Sequence, residues 1–241
     1  MSLLTPFLWL LIVLPLFILA HFKSEKTNFK YLLIFVIYFL IDNYLNTLNF
    51  TNAVFPDLKW NWAGKLLSMC FGLGFIFFHA KEIRKDIGFT GKFNPQTKLG
   101  ILLFLGFLTF DFIIKMFIFP KGGEFDLEAF IFQASFPGLT EEIIYRGIYL
   151  WLLSKVFISS KIIKGVAFRW SFLIVTVLFG VAHGIVLTES YEIRHDITTI
   201  VYLTLVSSLS LGLLRKFSGN LILPILGHNM INTMNFFIRL L

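Results

Sequence analysis

Apolar residues fall along the chain in eight long runs, separated by short clusters of charged and turn-forming residues. The runs cover roughly 5–22, 31–46, 60–80, 99–119, 127–154, 170–187, 197–214 and 219–238. Each predicts a helix long enough to cross an apolar core ~30 Å thick. Spanning backbone must satisfy its own hydrogen bonds, which favours helices over open strands for such runs. The second run has a polar tail, Asp42–Asn43–Tyr44–Leu45–Asn46, and is the weakest of the set. The fifth contains Phe136–Pro137–Gly138, which predicts a kink just before an acidic pair. No internal repeat, low-complexity stretch or linker marks off a second domain, so residues 1–241 read as a single integral membrane domain.

Composition agrees. Of 241 residues, 57% are hydrophobic, 18% aromatic and only 15% charged, and the mean hydropathy is +0.80. That excludes a soluble enzyme, a disulfide scaffold and a disordered tail. The expected fold is all-α: a polytopic membrane protein of about eight transmembrane helices around a polar intramembrane cavity. The formal charge of +7 is the mark of basic cytoplasmic loops rather than of nucleic-acid binding, because no basic stripe with interleaved aromatics occurs. Eight crossings sort the loops so that fourteen Lys and Arg lie on one side and four on the other. By the positive-inside rule this places both termini on the non-cytoplasmic side. The basic segment from Lys81 to Lys98 is expected to lie against anionic headgroups. The first run lacks a basic n-region and a cleavage site and reads as a retained span. Cys70 is the only cysteine and cannot form an intrachain disulfide.

Ionisable residues inside the runs cost at least ~2.5–3.5 kcal/mol each, so they are kept where they pair, face a cavity or do chemistry. Three clusters stand out. Glu141–Glu142–Ile143–Ile144–Tyr145–Arg146 places Glu142 and Arg146 at i,i+4 with the acid first, the favourable order for an ion pair, and leaves Glu141 as a second carboxylate. Phe179–Gly180–Val181–Ala182–His183 carries a histidine on an apolar helix. His228 and Asn232 share one helical face. Glu141 is 14 residues from Lys155, His183 is 14 from Arg169, and His228 is 12 from Lys216. At 1.5 Å per residue all three lie about 18–21 Å from the basic boundary, in one layer. Unrelated structural polar residues have no reason to share a depth, whereas a site does. A second intramembrane pair, Asp111 and Lys115, reads as a helix-stabilising ion pair near the outer boundary. Ser171, Ser207, Ser208 and Ser210 read as helix-packing residues rather than nucleophiles.

A carboxylate and an imidazole can hold and deprotonate a water, and a second imidazole with a carboxamide can stabilise an oxyanion. The same groups also match a catalytic zinc set, in which Glu141, His183 and His228 would be the ligands. The first reading needs no cofactor and the second implies zinc.

Glu-Glu-x-x-x-Arg, Phe-x-x-x-His and His-x-x-x-Asn, in order on separate apolar segments, resemble the CPBP family of intramembrane proteases (CAAX proteases and bacteriocin-processing, or Abi, proteins), which includes the type II CAAX prenyl endopeptidases. Ser218 to Gly227 also looks like that family's approach to its last motif. The resemblance covers about 136–232, a catalytic core, and leaves 1–126 as N-terminal helices of unassigned role. It implies a Glu/His endopeptidase with Glu141 as general base assisted by His183. It also implies His228 and Asn232 as oxyanion stabilisers, and Glu142 and Arg146 as residues positioning the first carboxylate. The implied partners are membrane lipids and a peptide or prenylated protein, in the inner (plasma) membrane of a bacterium, with a role in peptide maturation or bacteriocin immunity. The sequence sets no oligomeric state. From other classes, a transporter or proton-coupled channel would show inverted repeats, which are not visible here. A non-catalytic scaffold or immunity factor of the same fold would keep its phenotype without Glu141.

Overall fold

The computed structural model describes residues 3–54 and 56–241. Helices occupy all eight predicted runs. They are α1 (Thr5–Lys23), α2 (Phe29–Thr47), α3 (Trp62–Phe77), a short α4 (Lys81–Ile87) and α5 (Thr97–Ile118). There follow α6 (Leu127–Glu141, continuing through Glu142–Tyr149 and Leu150–Val156), α7 (Trp170–Gly184), α8 (Ile197–Tyr202, Leu203–Ser208 and Leu209–Ser218) and α9 (Ile222–Leu240). The middle segments of α6 and α8 are π-helical. Four helices, α1, α2, α5 and α8, are long and apolar enough to cross a membrane by length and composition. α6 and α9 carry the charged and carboxamide residues of the motifs, and α3 and α7 are shorter apolar helices.

The all-α expectation needs correction in the connections, where three two-stranded antiparallel ribbons form: β1 (Lys26–Thr27) with β2 (Phe157–Ile158), β3 (Lys161–Ile163) with β4 (Val166–Phe168), and β5 (Ile185–Leu187) with β6 (Ile193–His195). Two or three residues per strand are too few for an alternating pattern to show in the sequence. The β3–β4 link is a two-residue turn with positive φ at both Lys164 and Gly165, the geometry that matches strand twist. The basic segment from Lys81 to Lys98 also holds α4, which ends at Gly88 in the left-handed conformation (φ 95°).

The distribution of residues is inverted relative to a soluble protein. Only 17% of the most apolar window of α5 is buried against other protein, and Leu102 and Phe117 point outward at 67% and 84% exposure. Asp42, Ser68, Asp111, Lys115, Glu142 and Arg146 are instead buried. Such an arrangement is stable where the surroundings are hydrocarbon and the polar groups find partners inside. The largest cluster of buried apolar side chains joins α1, α2, α3, α6 and α7, and a smaller one joins α5, α8 and α9.

Connections bond to one another in two sets. In one, β1 pairs with β2, Lys155 meets Asp86 at 3.5 Å, and the Asn94 amide donates to the Ser218 carbonyl. In the other, the Thr5 hydroxyl donates to the Leu187 carbonyl, Lys59 meets Asp126 at 3.0 Å, and the Gly123 amide donates to the Arg239 carbonyl. The two sets correspond to the basic and the less basic sides read from the sequence.

The polar tail of α2 has a structural use. Asp42 accepts hydrogen bonds from the Ser68 hydroxyl (2.5 Å) and the Tyr149 hydroxyl (2.9 Å), tying α2 to α3 and α6. α6 runs on through Pro137, and the Gly138 amide donates sideways to Asn229 Oδ1 of α9 at 2.9 Å. The departure from α geometry comes at Glu142, as a change to π-helical pitch.

α7 and α8 approach through Gly180 and Gly184, where a Cβ would come within 2.6 Å of the Ile200 carbonyl and 2.8 Å of the Asp196 carbonyl. Small residues four apart let backbones close in this way. Gly180→Val is expected to destabilise the protein by about 1–3 kcal/mol through overpacking, lowering the thermal midpoint in mild detergent. Gly74→Ala, where a Cβ meets nothing within 4 Å, is expected to leave it unchanged.

Candidate active site

The three motifs converge. Glu141, at the end of the α-helical part of α6, points one carboxylate oxygen, Oε2, at the Nε2 atoms of His183 (3.6 Å) and His228 (3.9 Å). These distances are too long for direct hydrogen bonds, and Glu141 Oε2 is buried with no partner among the described residues. The other oxygen, Oε1, is held by the Lys65 ammonium of α3 at 2.7 Å.

The local partners fix the imidazole protons. His183 Nδ1 lies 2.7 Å from the Phe179 carbonyl one turn earlier. A carbonyl can only accept, so Nδ1 donates, and in the neutral imidazole Nε2 presents its lone pair to Glu141. The spacing Phe-x-x-x-His thus has a direct use: the backbone of the first residue sets the tautomer of the last. His228 Nδ1 donates to Glu142 Oε1 at 2.8 Å, which again turns Nε2 toward Glu141. His183 Nε2 and Glu141 Oε2 are then two acceptors facing each other, so the point between them suits a molecule that carries protons.

The structure revises one expectation. Glu142 and Arg146 do form the i,i+4 pair, at 3.3 Å and almost completely buried, but they brace His228 rather than the first carboxylate. Arg146 also lies over the Phe179 ring at 4.2 Å and donates to the Ser208 hydroxyl of α8 at 3.1 Å. Ser208 is therefore a packing partner, as the sequence suggested. Two residues outside the motifs were not singled out from sequence. Lys65 holds Glu141, and Asp42 lines a cavity shared with both. The signal present was that each is an ionisable residue within an apolar run.

Glu141, Lys65 and His183 stand on the wall between two cavities. One, of about 370 Å³, is lined by Trp60, Phe132, Phe179 and Ile231, and holds His228 and Asn232 as well. The other, of about 570 Å³, is lined by Asp42, Asn43, Asn46, Asn49 and Asn61. Asp111 and Lys115 form the expected i,i+4 pair near the end of α5. They pair at 2.7 Å in a buried position where the Tyr202 hydroxyl also donates to Asp111, and Lys115 reaches the rim of the first cavity. Among the described residues no group of three His, Cys, Asp or Glu is disposed to hold a metal ion, the Glu141, His183 and His228 set included.

Residues 124–234 match a family model described as type II CAAX prenyl endopeptidase Rce1-like. No curated protein and no solved structure gives a match. The matched segment takes in α6, α7, α8 and most of α9 with all three motifs, and leaves out α1 to α5, which supply Lys65 and Asp42. The segment that carries all three motifs is thus similar to the type II CAAX prenyl endopeptidase Rce1-like family.

Proposed function

We propose that the chain is an intramembrane endopeptidase in which Glu141, assisted by His183, activates a water for attack on a peptide carbonyl. The observation that carries this reading is the asymmetry of Glu141: Oε1 is fixed by Lys65 while Oε2 is unpartnered, buried and faced by two imidazole nitrogens. A water donating to Oε2 would lose a proton to it as its oxygen bonds to the carbonyl carbon. The tetrahedral oxyanion would be met by His228, protonated on both nitrogens, and by the Asn232 amide. As the C–N bond breaks, the proton passes to the leaving amine, giving a carboxylic acid and an amine. Glu142 balances the charge on His228, and Arg146 balances Glu142, so both act as positioning residues.

The reaction so written needs no metal. The Lys65 ammonium supplies positive charge at Glu141 and occupies one of the two oxygens a cation would use. The aromatic lining of the first cavity suits a substrate with an apolar or prenylated segment, and the Asn-lined cavity suits water. The whole chain is read as one eight-span domain with both termini on the non-cytoplasmic side of a bacterial inner membrane. The pairing of connections within two sets and the charge bias between those sets support that reading. Residues 136–232 form its catalytic core, and the helices before it supply Lys65. Peptide maturation and bacteriocin immunity are the roles that fit the family.

The test is cleavage of a library of prenylated and signal-like peptides by detergent-purified protein. Glu141→Ala is expected to abolish cleavage while circular dichroism stays helical, and a strong chelator is expected to have no effect. Cleavage that survives Glu141→Ala would overturn the assignment, and loss with chelator would overturn the metal-free mechanism. Asn232→Ala, which removes one oxyanion donor, is expected to lower kcat about 100- to 1000-fold with KM little changed. Lys65→Met is expected to cut kcat at least roughly tenfold, the effect of ~1.4 kcal/mol on the barrier, with Lys65→Arg retaining more activity than Lys65→Met. Equal kcat for wild type and Lys65→Met would show that Glu141 is held without the ammonium.

A further inference from the structure

At the opposite end of the helices from the Lys59–Asp126 contact, a polar cavity of about 270 Å³ is lined by four cations, Lys155, Arg169, Arg215 and Lys216. They come from the end of α6, the residue preceding α7 and the end of α8. Asp86 is the one carboxylate in the lining, and it is engaged by Lys155 at 3.5 Å. Arg169 and Arg215 are held in place by donating to the backbone, at the Ser154 and Asp86 carbonyls (both 3.1 Å). The Arg215 guanidinium also packs flat on Gly88, where a Cβ would collide with it. Arg215 is 93% buried, and its Nε has no hydrogen-bond partner among the described residues.

Four like charges around one small cavity repel strongly where the dielectric is low. A single carboxylate leaves most of that repulsion in place, so the cavity is built to take an anion. Its rim continues, through Arg169, into a groove of about 510 Å³ lined by Ile163, Phe168, Trp170, Phe172 and Leu173. Leu173 is 41% exposed on the outside of α7. A cationic pocket joined to an outward apolar groove, at the basic ends of membrane helices, is complementary to a phosphate that carries a hydrocarbon chain.

We propose that this pocket binds the headgroup phosphate of an anionic phospholipid, with an acyl chain laid along the Phe168–Leu173 groove. Inorganic phosphate shares the headgroup chemistry but cannot use the groove. A zwitterionic lipid brings its own cation into a pocket that already holds four. The lipid would clamp the ends of α6, α7 and α8, the helices that carry Glu141, His183 and Ser208, so its binding is expected to stabilise the whole bundle.

The experiment uses the full chain in neutral detergent and reads the thermal midpoint after adding phosphatidylglycerol, phosphatidylcholine or inorganic phosphate. Native mass spectrometry of the same samples counts retained lipid. Phosphatidylglycerol is expected to raise the midpoint above both other additions and to be retained roughly tenfold over phosphatidylcholine. Arg169→Gln combined with Lys216→Gln is expected to lose that increment, while Lys164→Gln, outside the pocket, keeps it. Leu173→Asp, which leaves the cations intact and changes an outward position, is expected to lose it as well, and so covers the case in which the double variant does not fold. Equal effects of the two lipids, a full effect of inorganic phosphate alone, or an unchanged increment in Leu173→Asp would each overturn the lipid assignment.

Discussion

A charge held among apolar helices persists only where an opposite charge or a set of hydrogen-bond donors meets it, and that constraint orders this bundle. The two neighbouring glutamates meet it differently. Glu142 is matched by Arg146 on its own helix and by His228 on α9, and it is closed off from the cavities. Glu141 is matched on one oxygen only, by Lys65. The first arrangement is a brace and the second leaves a reactive atom. Neither glutamate could exchange roles with the other, because the partners arrive from different helices. Losing one member of a buried pair leaves the other uncompensated, which costs more than the pair contributes.

The π-helical segments belong to the same solution. Glu142–Tyr149 of α6 and Leu203–Ser208 of α8 are the two π segments, and Arg146 joins them by its bond to Ser208. A π turn takes more residues per turn than an α turn, so it changes which residues face a neighbour partway along a helix. In α6 the change begins at Glu142, directly after the residue that faces the cavities. The whole Glu142–Tyr149 segment is buried, with Glu142, Tyr145, Arg146 and Tyr149 as its polar members.

What the sequence disclosed is what repeats along one segment: the apolar runs, the i,i+4 pairs and the depth shared by Glu141, His183 and His228. Those three meet within 3.9 Å, as a shared layer required. What it did not disclose depends on which helix lies beside which. Lys65 is a lone lysine until α3 is placed against α6, and the polar tail of α2 looks like a weak span until Ser68 and Tyr149 are seen bonding to Asp42. The Glu142–His228 contact joins residues 86 apart, so local spacing could disclose only the Glu142–Arg146 pair. The ribbons escaped notice for a different reason: their strands are shorter than the window in which a period of two can be recognised.

Hydrolysis inside an apolar layer also demands two kinds of access at one point, since a hydrophobic peptide segment and water do not share a path comfortably. The cavity walls divide along that line. Trp60, Phe132 and Phe179 face one side of Glu141, while Asn43, Asn46, Asn49 and Asn61 face the other. Lys65 belongs to both linings and grips the oxygen that is not aimed at the imidazoles. On the endopeptidase reading, the lysine therefore does more than balance charge. By holding Oε1 at the partition it keeps Oε2 turned toward His183 and His228, where water from the carboxamide side and a carbonyl from the aromatic side can meet. α2 and α3 then take part in the chemistry through their polar ends, although the family match begins only at residue 124. Carboxamides suit that task better than further charges would, because they hydrogen-bond to water without adding an ion that would itself need a partner.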